Sequence, residues 1–326
     1  MTPSTSSSDS LYFVGIDVAK AKLDLARSDT GEIFTAGNDP DGIGGIVDSL
    51  RKTPPKMIVL ESTGGLERPL LDALLDAGLP AALVNPRNIR HFAQGLGKRA
   101  KSDSIDAVVL MEYARLANPR LAEKRSADQV ELDALLTCRR QLARQKAQQL
   151  NCRATTSSKA AIRTLDNVLK TLKREIDRLD KKIRALIESD DDFDSIDKLL
   201  RSVPGVGPVV SATLLTELSE LGDTDRQSIS ALVGVAPYDH DSGTMKGKRS
   251  IFGGRASVRS ALYMAAVTAI RCNPVIKAFA QRLEKSGKAE KVKIVACMRK
   301  LLALLNAMVR DGLRWDQLNV VKALEN

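Results

Sequence analysis

The chain has 326 residues, enough for two or three domains, and its hydrophobic fraction of 43% suits a folded protein rather than a disordered tail. Its 50 Lys and Arg residues against 40 Asp and Glu give a net charge of +10. This excess favours a polyanionic partner, because each neutralised phosphate releases a counterion, although a merely basic protein is the alternative. Only 3% of the residues are aromatic, so contact with a nucleic acid would depend little on base stacking.

The cysteines and the N-terminus restrict where the protein works. The four cysteines are far apart and form no Cys-x-x-Cys pair, so neither a zinc site nor a disulfide framework is expected. A reducing cytoplasm is the simplest location. Residues 1–10 are rich in Ser and Thr, are expected to be disordered, and lack the blocks of a signal peptide. No apolar run approaches the roughly 20 residues needed to cross a bilayer, so we expect no membrane partner.

Residues 11–125 alternate between strand and helix patterns, which predicts an α/β domain with a mixed sheet covered by helices. The turn Asp29-Thr30-Gly31 separates two of the strands, and Gly78 ends a helix. The predicted strands are 12–18, 22–27, 32–36, 57–60 and 81–84, and the predicted helices are 41–52, 66–77 and one that begins near 103.

Residues 126–190 form the second predicted domain. From 126 to 188 there is no proline or glycine, and apolar residues recur at three- and four-residue steps, which predicts an antiparallel coiled coil that turns near 155–158. Its many basic residues indicate either a solvated surface or a nucleic-acid-binding one. The acidic run 188–197 resembles a linker, and residues 191–326 form a third, mainly helical domain.

Four acids carry the first chemical signal. Asp17 lies inside an apolar strand, where an ionised carboxylate is costly unless it is paired or bound to a metal. Glu61 follows a second apolar strand, and Asp103 and Asp106 share one face at the start of a helix. Together they could hold two Mg²⁺ ions about 3.5–4 Å apart for phosphoryl transfer. Taken singly, three of these acids are better explained by structural roles, Asp103 as a helix cap, Asp106 as an exposed acid and Glu61 as a solvated loop residue, and the set is stronger than its members.

A Pro-Gly-Val-Gly hairpin carries the second signal. Gly205 and Gly207 precede an apolar helix pattern over 209–215 and resemble the turn of a helix-hairpin-helix motif. In such a motif, backbone N–H groups and a helix N-terminus face a phosphate. An ordinary turn between packed helices is the alternative.

A basic, glycine-rich loop carries the third signal. Its cations could hold a phosphodiester, and the candidates are Lys246, Lys248, Arg249, Arg255 and Arg259. The hydroxyl groups that could act as a nucleophile belong to Tyr238, Ser242, Ser250 and Ser257, and spacing alone does not select among them. His240 is either a base or a surface histidine. A helix is predicted over 256–272.

The order of the acids, Asp17 on a first strand, then Glu61, then Asp103 and Asp106 on a late helix, resembles the ribonuclease-H/RuvC superfamily. With the coiled coil, the hairpin and the Ser-Gly pair at 242–243, nearly the whole chain resembles the DEDD-type insertion-sequence transposases, which are bridge-RNA-guided recombinases. The resemblance implies that the four acids bind Mg²⁺, for which Mn²⁺ could substitute. It also implies that Ser242 attacks the scissile phosphate and forms a covalent phosphoserine–DNA intermediate.

The same resemblance implies the partners. These are donor and target double-stranded DNA, a structured noncoding bridge RNA that pairs with both, and further copies of the chain in a homodimer that assembles into a homotetramer. It implies a bacterial cytoplasmic protein that joins the nucleoid when it acts. Two alternatives stay open: a RuvC-like endonuclease that hydrolyses DNA with metal-activated water, and a non-enzymatic nucleic-acid-binding coiled-coil scaffold.

Overall fold

The computed structural model describes residues 12–97, 103–239, 247 and 249–317, without the side chains of 103–105. The chain divides into two compact units, Met1–Arg125 and Ser126–Asn326. The predicted disorder of residues 1–10 lies outside the described residues. Among the described helices, none is long and apolar enough to span a membrane.

A five-stranded mixed sheet forms the centre of the first unit, with strand order β3-β2-β1-β4-β5. The first three strands are antiparallel neighbours, and β1 then pairs in parallel with β4, as β4 does with β5. The strands are β1 (Phe13–Val18), β2 (Lys22–Arg27), β3 (Ile33–Gly37), β4 (Met57–Glu61) and β5 (Ala81–Val84). This is the predicted meander followed by helix–strand units.

Helices cover both faces of this sheet, because successive side chains of a strand point to opposite faces. Val14, Ile16 and Val18 of β1 belong to one hydrophobic core, and Phe13 of the same strand packs in a second core on the opposite face. The helices are α1 (Pro40–Lys52), α2 (Arg68–Asp76), α3 (Pro86–Gly95) and α4 (Asp103–Ala117). Residues of α1 and α2 enter the first core, and residues of α3 and α4 enter the second.

Two long helices begin the second unit, α5 (Ala127–Thr155) and α6 (Lys159–Glu188). Ser126 starts α5 with a capping box, in which its side chain and that of Gln129 each accept from the other residue's backbone N–H. Ion pairs join Arg139 to Asp180 and Arg153 to Asp166, so α6 runs back along α5. The predicted antiparallel helices and their turn are therefore present, while knobs-into-holes packing along the heptad seam stays a prediction.

The remaining helices of the second unit enclose their own hydrophobic core, which includes Leu214, Leu262 and Leu305. A two-stranded hairpin of β6 (Pro237–Tyr238) and β7 (Ser250–Ile251) lies between α9 and α10 in the chain. The helices are α7 (Asp191–Arg201), α8 (Pro208–Glu217), α9 (Arg226–Val233), α10 (Ala256–Cys272), α11 (Pro274–Lys285) and α12 (Glu290–Asp311).

Two local expectations were wrong, and one helix was not predicted. The acidic run 188–197 is not a linker: Asp190 caps α7, and the acids of its first turn are stabilised there by the positive end of the helix dipole. Glu61 is the last residue of β4 rather than a loop residue after it. Helix α3 was not predicted, although Asn85 caps it and Pro86 occupies its first turn, which are ordinary helix-start signals.

Candidate active site

Asp17 and Glu61 occupy neighbouring positions on two parallel strands. Ile16 of β1 is in register with Leu60 of β4, so the next residues along the chain, Asp17 and Glu61, also lie side by side. Side chains at such positions point to the same face of the sheet. Both are half-buried. The fold therefore brings together two acids that are far apart in the sequence.

Helix α4 covers the face to which these two acids point. Gly15 is two residues before Asp17, and a Cβ atom added to it would lie only 2.2 Å from both the Ala107 carbonyl oxygen and the Met111 backbone nitrogen. Gly15 is thus required for α4 to contact the strand so closely. Asp106 immediately precedes Ala107 and is half-buried, so the same contact carries a third acid to this face.

The described side chains do not form a complete metal centre. Asp103 is the first residue of α4, but its side chain lies outside the described residues. Within the part of the chain that the structure describes, no group of three or more His, Cys, Asp or Glu side chains is placed to hold an ion. The carboxylate groups on this face are nevertheless suitable ligands for a hard divalent cation, because Mg²⁺ prefers oxygen ligands of this kind.

Asp24 is a further acid on this face, and sequence reasoning missed it. It is directly opposite Asp17 in the β1–β2 ladder and is only 5% exposed. Its carboxylate accepts a hydrogen bond of 2.6 Å from Thr35 Oγ1 and pairs with Lys22 Nζ at 3.0 Å. Burial by itself would raise the pKa of Asp24, but these two partners lower it below its ordinary value. The strict alternation in Lys22–Arg27 was the signal available for placing Asp24 on the face of Lys22.

Glu67 organises the loop that follows Glu61. It is 2% exposed and accepts hydrogen bonds from the backbone N–H groups of Thr63, at 3.1 Å, and Gly65, at 2.8 Å, and from the Thr63 hydroxyl at 3.0 Å. Burial opposes its ionisation, yet the backbone and hydroxyl donors lower the pKa of Glu67 below its ordinary value. The loop after Glu61 is therefore held by a buried carboxylate.

The loop predicted to carry the nucleophile is described at its two ends. Ser242, His240, Lys246 and Lys248 lie outside the described residues. Tyr238 pairs with Ser250 across the β6–β7 hairpin, and an ion pair between Asp239 and Arg249 follows directly. Tyr238, Asp239, Arg249 and Ser250 are therefore joined across one short antiparallel ribbon.

Glycines pack the base of this ribbon tightly. Gly234 and Gly254 both have a positive φ, 77° and 70°. A Cβ added to Gly234 would lie 2.1 Å from the Gly253 carbonyl oxygen, and one added to Gly254 would lie 2.2 Å from the Gly234 nitrogen. Only glycine permits both the conformation and the backbone contact. The segment that leads into β6 and the segment that follows β7 are thus packed against each other at the base of the ribbon.

Two of the predicted phosphate-binding arginines make contacts within the protein instead. Arg255 pairs with both carboxylate oxygens of Glu220, the longer hydrogen bond being 2.7 Å, and also donates to the Glu217 carbonyl. Arg259 donates to the carbonyls of Val233 and Gly253. A guanidinium that is already satisfied in this way holds the base of the ribbon, so the structure favours a positioning role over a phosphate clamp. Arg249 remains exposed beside Asp239.

The candidate hydroxyl groups differ in their surroundings. Ser257 at the start of α10 donates to Glu217, which also pairs with Arg140 of α5. This hydroxyl therefore belongs to a structural network. Tyr238 and Ser250 are exposed on the ribbon.

The Pro-Gly-Val-Gly hairpin joins α7 to α8. Gly205 has a φ of 104°, and an added Cβ would lie 2.7 Å from Ala269 Cβ, so this glycine packs against α10. The Asn273 side chain donates to the Pro204 carbonyl at 3.3 Å. Gly207 is the N-cap of α8, and an added Cβ would meet nothing within 4 Å. Gly205 thus has a packing role, and Gly207 stands at an open helix N-terminus.

Two family profiles match the chain. One, described as a transposase of the DEDD type found in IS110, matches residues 14–156 and so includes the four acids. The other, described as the transposase IS116/IS110/IS902 family, matches residues 197–281 and so includes Ser242.

Relatives match over most of the length. The pilin gene-inverting protein of Moraxella bovis is 29% identical over 315 residues, which are 94% of this chain and 98% of that protein. The same figures hold for the pilin gene-inverting protein of Moraxella lacunata. The transposase for insertion sequence element IS1111A of Coxiella burnetii is 21% identical over 267 residues, 72% of this chain and 70% of that protein.

Proposed function

This chain belongs to the IS110 family of DEDD-type transposases, enzymes that cleave DNA and transfer its strands, and we propose that it does so through four acids and one serine. The observation that carries the proposal is the lateral pairing of Asp17 and Glu61 on the sheet face that α4 covers. Membership of a DEDD family implies use of a divalent metal ion. We assign its ligands to Asp17, Glu61, Asp103 and Asp106, and its identity to Mg²⁺ at two sites, with Mn²⁺ as a substitute.

The acids of the first unit would hold the divalent cation that activates the scissile phosphate. A bound divalent cation would neutralise charge that develops on the scissile phosphate. Asp17 and Glu61 provide the rigid part of the ligand set, because both are on paired strands. Asp24 lies opposite Asp17, but its carboxylate is already paired with Lys22 and accepts a hydrogen bond from Thr35, so it requires no further cation.

Ser242 serves as the nucleophile. Its hydroxyl oxygen forms a bond to the scissile phosphorus and gives up its proton, while the bond from phosphorus to a deoxyribose oxygen breaks and that oxygen takes up a proton. One phosphodiester replaces another, so a second strand's hydroxyl can later displace the serine without ATP. Lys246, Lys248 and Arg249 contact the DNA backbone around this loop.

The partners are donor and target double-stranded DNA and a structured bridge RNA that pairs with both. Charge supports a nucleic-acid surface on the second unit: residues 126–326 contain 34 Lys and Arg against 24 Asp and Glu, whereas residues 1–125 contain 16 of each. The open N-terminus of α8 at Gly207, in a helix-hairpin-helix-like turn, adds a phosphate contact. We propose that α5 and α6 form a coiled coil and that the chain assembles as a homodimer and then a homotetramer in the bacterial cytoplasm.

Site-specific inversion is a second candidate. The pilin gene-inverting proteins match this chain almost end to end, and inversion uses the same cleavage and rejoining chemistry on two sites within one DNA molecule. A plasmid bearing the two sites in inverted orientation distinguishes the outcomes. Inversion yields a flipped segment, and transposition yields a transferred element.

The serine route is tested with protein, Mg²⁺, DNA bearing its site and RNA transcribed from the noncoding DNA that flanks the gene. We expect a protein–DNA adduct that survives denaturation and that maps to Ser242. Ser242→Ala should abolish it while nucleic-acid binding persists. Ser250→Ala, which removes an exposed hydroxyl from the same ribbon, is the matched control and should leave it intact.

Two other results would decide against the proposal. Clean nicks without an adduct would indicate a RuvC-like endonuclease that uses water. Unchanged adduct formation in both Asp17→Asn and Glu61→Gln would remove the metal centre from the mechanism and leave the carboxylates with a structural role.

A further inference from the structure

Three positive charges lie close together in the second unit. Arg226 is the first residue of α9, and Arg299 and Lys300 are successive residues of α12. Lys300 is only 9% exposed, and the Nε atom of Arg299 is buried without a hydrogen-bond partner. In the described part of the chain, the side chains of these three residues make no hydrogen bond and no ion pair.

These charges act on one another. Burial lowers the pKa of Lys300 below its ordinary value, and the positive charges of Arg282 on α11 and of Arg226 lower it further. Burial likewise lowers the pKa of Arg299, and Arg226 adds to the effect. Lys300 Nζ lies 5.1 Å from the centre of the Phe279 ring, which contacts the cation without neutralising it. Like charges are thus held side by side, at a cost to the folded protein.

The fold fixes the start of α9 against α12. Asn306 of α12 is 3% exposed and accepts a hydrogen bond of 2.8 Å from the Gly222 N–H. Its amide nitrogen donates to the Thr224 carbonyl, also at 2.8 Å. Arg226 follows Thr224 by two residues. The cations are therefore held together by a rigid contact between the two helices.

The acid next to Arg226 in the chain is already in use. Asp225 caps α9 by accepting from the backbone N–H groups of Gln227, at 2.7 Å, and Ser228, at 3.1 Å. The Ser228 hydroxyl and these N–H groups lower the pKa of Asp225 below its ordinary value. A buried cation is costly unless an anion or an acceptor replaces the water it has lost. The cluster is therefore suited to bind an anion.

The chemistry of the cluster favours a phosphodiester. A guanidinium group can donate to two phosphate oxygens at once, and an ammonium group adds a compact charge beside it. Arg226 is exposed, so the cluster opens to solvent at the start of α9, as binding to a long polymer requires. The family to which this chain belongs acts on DNA, which supplies such phosphates.

We propose that Arg226, Arg299 and Lys300 form a binding site for a backbone phosphate of the nucleic acid on which the protein acts. This inference rests on the proposed nucleic-acid partners and not on Ser242 as the nucleophile. The site holds a strand and takes no part in bond making. The bound phosphate offsets the cost of burying Lys300 and Arg299.

The test compares the full-length parent with a double variant, Arg299→Gln with Lys300→Met, which removes two charges and keeps both apolar stems. The probes are the RNA transcribed from the flanking noncoding DNA and a DNA duplex that carries one end of the element. Binding is measured by fluorescence anisotropy at several salt concentrations without divalent cations. We expect the slope of the logarithm of the binding constant against that of the salt concentration to become shallower by about 1. The probe whose slope changes identifies whether RNA or DNA supplies the phosphate.

A second double variant, Arg271→Gln with Lys277→Met, is the matched control. These two residues are exposed on α10 and α11 of the same unit, and the variant removes the same two charges. We expect it to bind both probes with the slope of the parent. An equal reduction by both double variants would show that only the net charge of the unit matters, which would overturn the site.

Thermal stability separates binding from a structural role. Without nucleic acid, the variant of Arg299 and Lys300 should melt at the temperature of the parent or above it, because two buried charges have been removed. A lower melting temperature together with an unchanged slope would disprove the site and assign both residues to packing. If the parent itself bound neither probe, the proposed partners would be refuted, and this site with them.

Discussion

Gly15 allows α4 to pack against β1 at the candidate metal site, and a side chain at this position would disrupt that packing. Gly15→Ala places a methyl group 2.2 Å from backbone atoms of α4, which cannot move aside as a side chain can. We expect the free energy of unfolding to fall by about 3 kcal/mol. Because α4 carries Asp103 and Asp106, we also expect adduct formation to be lost. Denaturant unfolding followed by circular dichroism measures the first effect.

Gly44→Ala provides the control for this substitution. Gly44 is within α1, and a Cβ added there meets nothing within 4 Å. Alanine has the higher helix propensity, so this variant should be as stable as the parent or slightly more so. Equal destabilisation by both substitutions would contradict the packing argument for Gly15.

Glu67 makes stability depend on pH. Its pKa in the folded protein is below its ordinary value, so the folded state binds fewer protons at this group than the unfolded state does. The carboxylate therefore contributes its full stabilisation above its ordinary pKa and loses it as the pH falls through the lowered one. Glu67→Gln should cost about 1–3 kcal/mol at pH 7, because an amide cannot accept from all the loop donors.

The difference between this variant and the parent should shrink below about pH 4. Denaturant titrations at several pH values from neutral to acidic measure it. A difference that stays constant with pH would show that the hydrogen bonds to Glu67 do not depend on its charge.

At the scale of elements, Glu217 joins three helices. It lies at the end of α8 and accepts from Arg140 of α5 and from Ser257 of α10. Glu217→Ala leaves a half-buried guanidinium without its carboxylate, and we expect a loss of about 2 kcal/mol in unfolding free energy. The effect should be non-additive with Arg140→Ala, because both substitutions remove the same ion pair.

Glu188→Gln serves as the matched control, since Glu188 pairs with Arg184 on the exposed surface of α6 alone. Such surface pairs contribute little, so the variant should unfold like the parent. Additive losses in Glu217→Ala and Arg140→Ala would mean that Glu217 does not act as a link between helices.

At the scale of the whole molecule, the four proposed metal ligands belong to the first unit, whereas the excess of Lys and Arg over Asp and Glu belongs to the second. The Mg²⁺ response should therefore belong to residues 1–125. We expect millimolar Mg²⁺ to raise the melting temperature of that unit, because an ion that binds only the folded state stabilises it by mass action. Differential scanning calorimetry of the full chain measures this, and Asp17→Asn should abolish it while Asp48→Asn, an acid of α1, should not. A rise that persists in Asp17→Asn would place the ion elsewhere.

Local patterns in the sequence identified most of the helices and strands. The α5–α6 hairpin and α10 were predicted nearly to the residue, because periodicity and end signals are local properties. The acidic start of α7 was misread because the same charges occur in solvated linkers and in first helical turns. Arg255 was taken for a phosphate ligand because its partner Glu220 is 35 residues away in the chain.

By itself, the sequence determined which residues could do chemistry: an acid inside an apolar strand, acids one helical turn apart, and a serine in a basic glycine-rich loop. Only the tertiary structure decided which of them are neighbours. Strand order made Asp17 adjacent to Glu61 and opposite Asp24, and Gly15 allowed α4 to cover that face. The reason is physical, because composition and periodicity are set by nearby residues, whereas strand pairing and ion pairs depend on contacts between distant ones.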